Sequence, residues 1–300
     1  ESLILLTELN IFAGHIEEAY EFVDKFTQLA DDSDDNRIKA ISSVGLARLS
    51  EIERDYKSCL QYYFNALSYL EEINDPLFLG DLQFSLSKIY FVLNDYENAH
   101  YYLDKSLQSD FAQDENNIYR IQQFIADLHF AQNESDSAFA ALSISWKQAL
   151  KMPHNENALG SIKENFAKFY IQLNQLDKAI EECNQGIQYY KISGSDERIA
   201  TLNTYLAHIY SLRDDYKTAL NYNKMALTIR KGLGINYLVI SSLNNIGHDF
   251  MELGLADSAL VYFEKALAIE EFNKSDFYVS VIYKNIYELN LRNQNYEQAI

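Results

Sequence analysis

The chain has 300 residues and a formal net charge of −19, from 25 Lys and Arg against 44 Asp and Glu. Such an excess repels phosphate backbones, so direct nucleic-acid binding, which needs clustered Lys and Arg, is not expected of this segment. Ten Gly and two Pro are too few for the turns of a many-stranded β protein, and no apolar run reaches the ~18 residues that cross a bilayer.

The elements recur. The string Asp-Tyr-Lys-Thr-Ala-Leu at 215–220 has relatives at 54–60, 94–100, 174–180, 254–260 and 293–300. Anchored on one small residue, the series runs Ala19, Cys59, Ala99, Ala138, Ala179, Ala219, Ala259 and Ala299, at spacings of 40, 40, 39, 41, 40, 40 and 40. A fixed period of this length marks stacked two-helix units. In chain order, the first helix of each unit (helix A) is expected near 2–13, 38–53, 80–93, 118–131, 160–173, 199–212, 239–253 and 278–292. The second (helix B) is expected near 16–30, 56–73, 96–109, 135–151, 176–191, 216–231 and 256–272. Segment 30–36 reads as an exposed acidic loop. No linker interrupts the pattern, so 1–300 reads as one domain of repeats near 1–37, 38–77, 78–116, 117–157, 158–197, 198–237, 238–277 and an incomplete 278–300.

Other columns move with the anchor. Thirteen residues before it stands an apolar marker: Leu6, Leu46, Leu86, Ile125, Phe166, Leu206, Ile246 and Ile286. The next residue is mostly small (Thr7, Ala47, Ser87, Ala126, Ala167, Ala207, Gly247), with Tyr287 as the exception. Three residues on come Tyr90, Tyr170, Tyr210 and Phe250. Seven after the anchor lies a second small column, Ala66, Ser106, Ser145, Gly186, Ala226 and Ala266, from which Phe26 departs. Small residues on both helices let the backbones approach, and the apolar and aromatic neighbours fill the seam.

This pattern resembles the tetratricopeptide repeat family. The unit at 243–271 carries the resemblance best, through Leu243, Ile246, Gly247, Phe250, Gly254, Ala259, Phe263 and Ala266. The resemblance implies an all-α, right-handed superhelical solenoid of about 7.5 helix-turn-helix repeats that binds proteins or peptides. The unit here is longer than the family's usual ~34 residues and mostly lacks a closing Pro. In this it resembles the longer-repeat arrays of bacterial sensors and peptide-responsive regulators, which implies a bacterial chain of the cytoplasm or periplasm.

Motifs of catalysis are missing. There is no phosphate-binding Gly-x-x-x-x-Gly-Lys, no His-Glu-x-x-His, no Cys-x-x-Cys and no Gly-x-Ser-x-Gly. The chain is therefore expected not to be an enzyme, with no catalytic residue, no cofactor and no metal. Cys59 and Cys183 lie three units apart, roughly 30 Å in a stacked array at about 10 Å per layer, where a bond needs about 7 Å, so no disulfide is expected. His208 and His248 share a column in adjacent units, but no Cys or paired carboxylate stands beside them. They fit a polar ladder with Asn165, Asn244 and Asn245, side chains able to bond an extended peptide backbone.

In the family, helix A lines the inner groove, which implies exposed positions two and three before the marker and two and five after it. The candidate ligand-binding residues are then Arg48, Phe84, Lys88, Phe91, Gln123, Asp127, Phe130, Lys168, Thr204, His208, Asn244, His248 and Lys284, joined by Arg120 from one more inner position. Basic groups beside apolar ones on the inner face of an acidic protein suit an acidic or C-terminal-carboxylate peptide with apolar anchors. The competing reading is ordinary salt bridging to Glu51, Asp127, Glu164 and Glu288 with no ligand. The function expected is a protein- or peptide-binding scaffold. Because the pattern opens at Glu1 and stops in mid-repeat at Ile300, it reads as the sensing or docking segment of a larger bacterial regulator. A stand-alone peptide-responsive regulator resembling the response-regulator phosphatases would need an N-terminal bundle that the sequence does not show. A self-assembling structural scaffold is the third reading, and the oligomeric state stays open.

Overall fold

A computed structural model describes residues 16–73, 75–234, 236–269 and 276–292. Helix A of the first repeat and the last anchor, Ala299, lie outside the described residues, as do 270–272, the end of the helix B expected at 256–272. The described residues form fourteen α-helices and no strand.

The chain divides into two compact units, Glu1–Pro153 and His154–Ile300. The first holds α1 (Ile16–Asp31), α2 (Asn36–Ile52), α3 (Tyr56–Ile73), α4 (Pro76–Val92), α5 (Tyr96–Leu107), a 3-10 turn at Asp110–Gln113, α6 (Glu115–Ala131) and α7 (Ser135–Ala149). The second holds α8 (Glu156–Gln172), α9 (Leu176–Ser193), α10 (Asp196–Ser211), α11 (Tyr216–Leu233), α12 (Asn236–Glu252), α13 (Ala256–Leu267) and α14 (Asp276–Arg292). Helices α2, α4, α6, α8, α10, α12 and α14 are A helices, and each but the last packs most heavily on the B helix that follows it. The A helices also touch one another within a unit: α4 meets α6, α8 meets α10 and α12 meets α14.

The A helices begin earlier than periodicity alone places them, by two residues at Asn36 and four at Pro76. N-capping explains the extension. Asp35 accepts from the Arg37 amide at 2.8 Å, and Asp75 accepts from the Phe78 amide at 3.1 Å with Pro76 filling the first helical position. B helices use the same device: Asp55 caps Ser58, Asp95 caps Asn98 and Asp215 caps Thr218. These bonds hold all three B-helix carboxyls below the usual carboxylate range.

One turn is repeated six times between A and B. Its left-handed residue is Arg54, Asn94, Asn133, Asn174, Asp214 or Gly254, with φ from 55° to 73°. The next amide bonds back to the last helical turn, as in Asp55 N–H to Ser50 O at 2.9 Å and Leu255 N–H to Phe250 O at 2.9 Å. Five of the six side chains at this position are Arg, Asn or Asp, and Asn and Asp tolerate this backbone best after Gly.

The small columns lie where the helices cross. Ala19, Cys59, Ala99, Ala179, Ala219 and Ala259 are all 0% exposed, as are Ala47, Ser87, Ala167, Ala66, Ser106, Ser145, Ala226 and Ala266. Where the small residue is Ser, its hydroxyl donates to the facing backbone: Ser87 to Ala99 O at 2.6 Å, Ser106 to Gly80 O at 2.8 Å and Ser145 to Tyr119 O at 2.8 Å. These bonds satisfy hydroxyls that burial removes from water, and they form because the two backbones are in direct contact. The aromatic column stacks from A to B at the seam's edge: Tyr90 on Tyr102 at 5.5 Å, Tyr210 on Tyr222 at 5.6 Å and Phe250 on Tyr262 at 5.3 Å. Cys59 and Cys183 are buried free thiols, pushed up to about 12 by burial. Among the described residues no helix is long and apolar enough to cross a membrane.

Candidate functional site

The A-helix columns divide sharply in their exposure. Two residues after the marker, Arg48, Lys88, Lys168 and His248 are partly buried and Asp127 and His208 are exposed. Two residues before it, Val44, Phe84, Gln123 and Glu164 are all buried. Phe84 and Gln123 therefore do not present an open groove surface. Phe84 is 3% exposed, with its ring 5.9 Å from Phe111 and 5.5 Å, edge-on, from Phe124. The reason is the contact between successive A helices, which widens the covered face of each one beyond its seam with helix B.

In the first unit two of the basic residues meet over that ring, and a third stands beside them. Lys88 Nζ lies 5.3 Å from the Phe84 centroid, and the Arg120 guanidinium carbon lies 6.0 Å from it. Arg48 reaches across from α2 to α4, donating to Ser85 Oγ at 3.2 Å and pairing with Glu51 at 3.1 Å. It also stands over the ring of Tyr63, 5.8 Å from its centroid. Three successive A helices thus contribute one cation each to a single seat with an aromatic floor. Arg120 is exposed and donates to Asn117 at 3.4 Å. Phe91 closes one side, packed 5.6 Å from Phe124. Phe130 is partly buried.

Lys88 is the exception in this seat. Among the described residues it has no hydrogen bond and no carboxylate within ion-pair distance. Burial pushes its ammonium down to about 8, and the charge of Arg48 adds to the effect. The fully buried Tyr63 hydroxyl likewise has no hydrogen-bond partner.

The second unit treats its cations differently. Lys168 lies 3.6 Å from Glu164 Oε1 and donates to Asn165 at 3.1 Å. Arg198, a residue that column reasoning passed over, lies 3.6 Å from Glu164 Oε2, which also accepts from the Tyr190 hydroxyl at 3.0 Å. Glu164 is 4% exposed, so its charge is set against two cations and one hydroxyl donor. Gly160 makes the reach possible: a Cβ there would stand 2.7 Å from the Tyr190 ring. The salt-bridge reading of the sequence thus describes Lys168 and Arg48, but not Lys88.

Thr204 donates to its own helix at Ala200 O, 3.1 Å away, and His208 is exposed. Asn244 accepts from Asn285 of α14 at 2.8 Å. His248 lies 3.7 Å from Glu252, and Lys284 is exposed. Beneath this face Asp249 is 2% exposed and accepts from Asn223 at 2.7 Å. Burial pushes its carboxyl up to about 6. Among the described residues no group of three or more His, Cys, Asp or Glu is placed to hold a metal.

Residues 161–191 and 239–271 each match the tetratricopeptide repeat. No curated protein matches the chain. Among solved structures, NprR in complex with its cognate peptide NprX is similar at a TM-score of 0.66 and 15% identity, over 97% of this chain and 86% of that one. Aspartyl phosphate phosphatase F from Bacillus subtilis is similar at 0.62 and 13%, over 99% and 90%. A signal-transduction ATPase with numerous domains and a tetratricopeptide repeat sensor, from Pyrococcus horikoshii, is similar at 0.63 and 15%. The match covers 92% of this chain but only 42% of that ATPase.

Proposed function

We propose, from the premise that the chain is built of tetratricopeptide repeats, that it is a non-catalytic scaffold holding a protein or peptide ligand on its A helices. The observation that carries this is the seat in which Lys88 and Arg120 stand over Phe84 beside Arg48, and in which one ammonium has no anion. Desolvating a cation without a partner costs free energy, and an incoming carboxylate would offset it while the partly buried Phe91 covers its apolar neighbours. An acidic peptide with apolar side chains meets both requirements. The peptide in the NprR complex supports a peptide as the ligand class, and the partial coverage of the Pyrococcus ATPase supports a sensing or docking segment within a longer regulator.

The test is selection from a library of peptides with free C-termini against wild type, Lys88→Glu and Lys168→Glu. Peptides selected on wild type should be acidic. They should lose binding to Lys88→Glu and largely keep it with Lys168→Glu, whose lysine already has Glu164. Equal binding to wild type and Lys88→Glu would remove the seat from the function.

A further inference from the structure

We infer that the seat of α2, α4 and α6 takes a carboxylate-bearing peptide together with a proton, which settles on Lys88 Nζ. The inference rests on the peptide-binding reading above. It starts from the charges that surround Lys88. Arg48 of α2 and Arg120 of α6 are like charges, while Glu51 of α2 is already paired with Arg48 at 3.1 Å. Asp81, on α4 itself, is the remaining carboxylate that acts on Lys88, and it lies outside ion-pair distance. The side chain is partly buried against the face of Phe84. Burial and the two arginines favour the neutral amine, and the two carboxylates that oppose them, Glu51 and Asp81, lie outside ion-pair distance of Lys88.

A bound carboxylate reverses the balance. It supplies the missing counter-charge, so the ammonium becomes the favoured form and proton uptake follows by linkage. Because the free ammonium titrates near 8 where an ordinary lysine titrates near ~10.4, affinity should fall over a range in which a common lysine site stays level. Between pH 7 and 9.5 the expected loss is about 30-fold, since only the protonated seat binds. Cys59 is held at about 12 and burial raises Tyr63 as well, so neither neighbour titrates in that window. Arginine at this position would keep its charge throughout.

The probe is the pentapeptide acetyl-Glu-Phe-Glu-Phe-Glu with a free C-terminus, and its C-terminal amide in parallel. The two arms separate a chain-end carboxylate from a side-chain one. Affinity is measured on the full chain from pH 7 to 9.5, and calorimetry at pH 8.5 in two buffers of different ionisation enthalpy counts protons. The expected result is the 30-fold fall for wild type, a level profile for Lys88→Arg, and uptake of about three quarters of a proton per peptide. Binding with no uptake and a level wild-type profile overturns the inference and leaves the peptide-binding reading standing. Failure of both peptides to bind at any pH overturns both readings. Circular dichroism of Lys88→Arg confirms that the variant is folded, and the proton count on wild type stands without it.

Discussion

Gly247→Ala is the substitution on which sequence and structure disagree most usefully. The column it occupies holds Ala47, Ala126, Ala167 and Ala207 in other repeats, so alanine looks harmless there. In an exposed helix interior the change would even stabilise, by about 1 kcal/mol. The structure gives the opposite sign. A Cβ on Gly247 would stand 2.5 Å from Phe263 Cε1 and 2.7 Å from Cδ1, and the Phe263 ring is 0% exposed. A buried ring between α12 and α13 has no room to retreat, and overpacking of this kind costs ~1–3 kcal/mol. Subtracting the propensity gain leaves a net loss of about 1 kcal/mol. Urea unfolding followed by far-UV circular dichroism should show a lower midpoint for Gly247→Ala. Adding Phe263→Leu should recover part of the loss, with a favourable coupling of roughly 1 kcal/mol in the double-mutant cycle. A raised midpoint for the single variant, or strict additivity of the pair, would refute the packing argument.

Two further expectations test other parts of the fold. Arg54→Gly relieves a left-handed backbone with φ 59°, and a relief of ~1–2 kcal/mol less ~0.5–1 kcal/mol of glycine entropy should raise the melting temperature slightly; a fall would show that the Arg54 side chain matters more than its backbone. Asp249 titrates near 6 in the fold against ~3.9 unfolded, so its contribution is fully present below ~3.9 and is lost as pH rises through 6, at a cost of roughly 3 kcal/mol at neutral pH. The caps Asp55, Asp95 and Asp215 have the reverse sign, with stability lost only as pH falls below ~3.9, so they are silent between pH 4.5 and 7. Asp249→Asn should therefore be more stable than wild type at pH 7 and should flatten the profile between pH 4.5 and 7. Parallel profiles for the two proteins would contradict the assignment.

Much of the candidate site was legible as a column but not as an environment. Two residues after the apolar marker, the sequence pointed to accessible A-helix positions, and Arg48, Lys88, Lys168 and His248 stand there partly open. Two residues before the marker, the same reasoning expected exposure for Phe84 and Gln123, and both are buried. Helical periodicity describes one helix against one neighbour, whereas these A helices have two. Arg198 escaped notice because it sits outside the columns, yet it and Lys168 together hold Glu164. The Asp caps of α2 to α5 were readable, since Asp35, Asp55, Asp75 and Asp95 recur every 20 residues, one before each of those four helices.

Local order in this protein follows from the chain alone. A forty-residue recurrence of small, apolar and turn-forming side chains dictates hairpin after hairpin, because each helix, cap and seam is made by residues close in sequence. The fate of a particular charge does not follow from it. Lys88 and Lys168 occupy the same column, but one lies over Phe84 within reach of two arginine charges and the other faces the buried Glu164. That difference depends on which side chains neighbouring A helices bring to the same spot, and only the packed structure sets it.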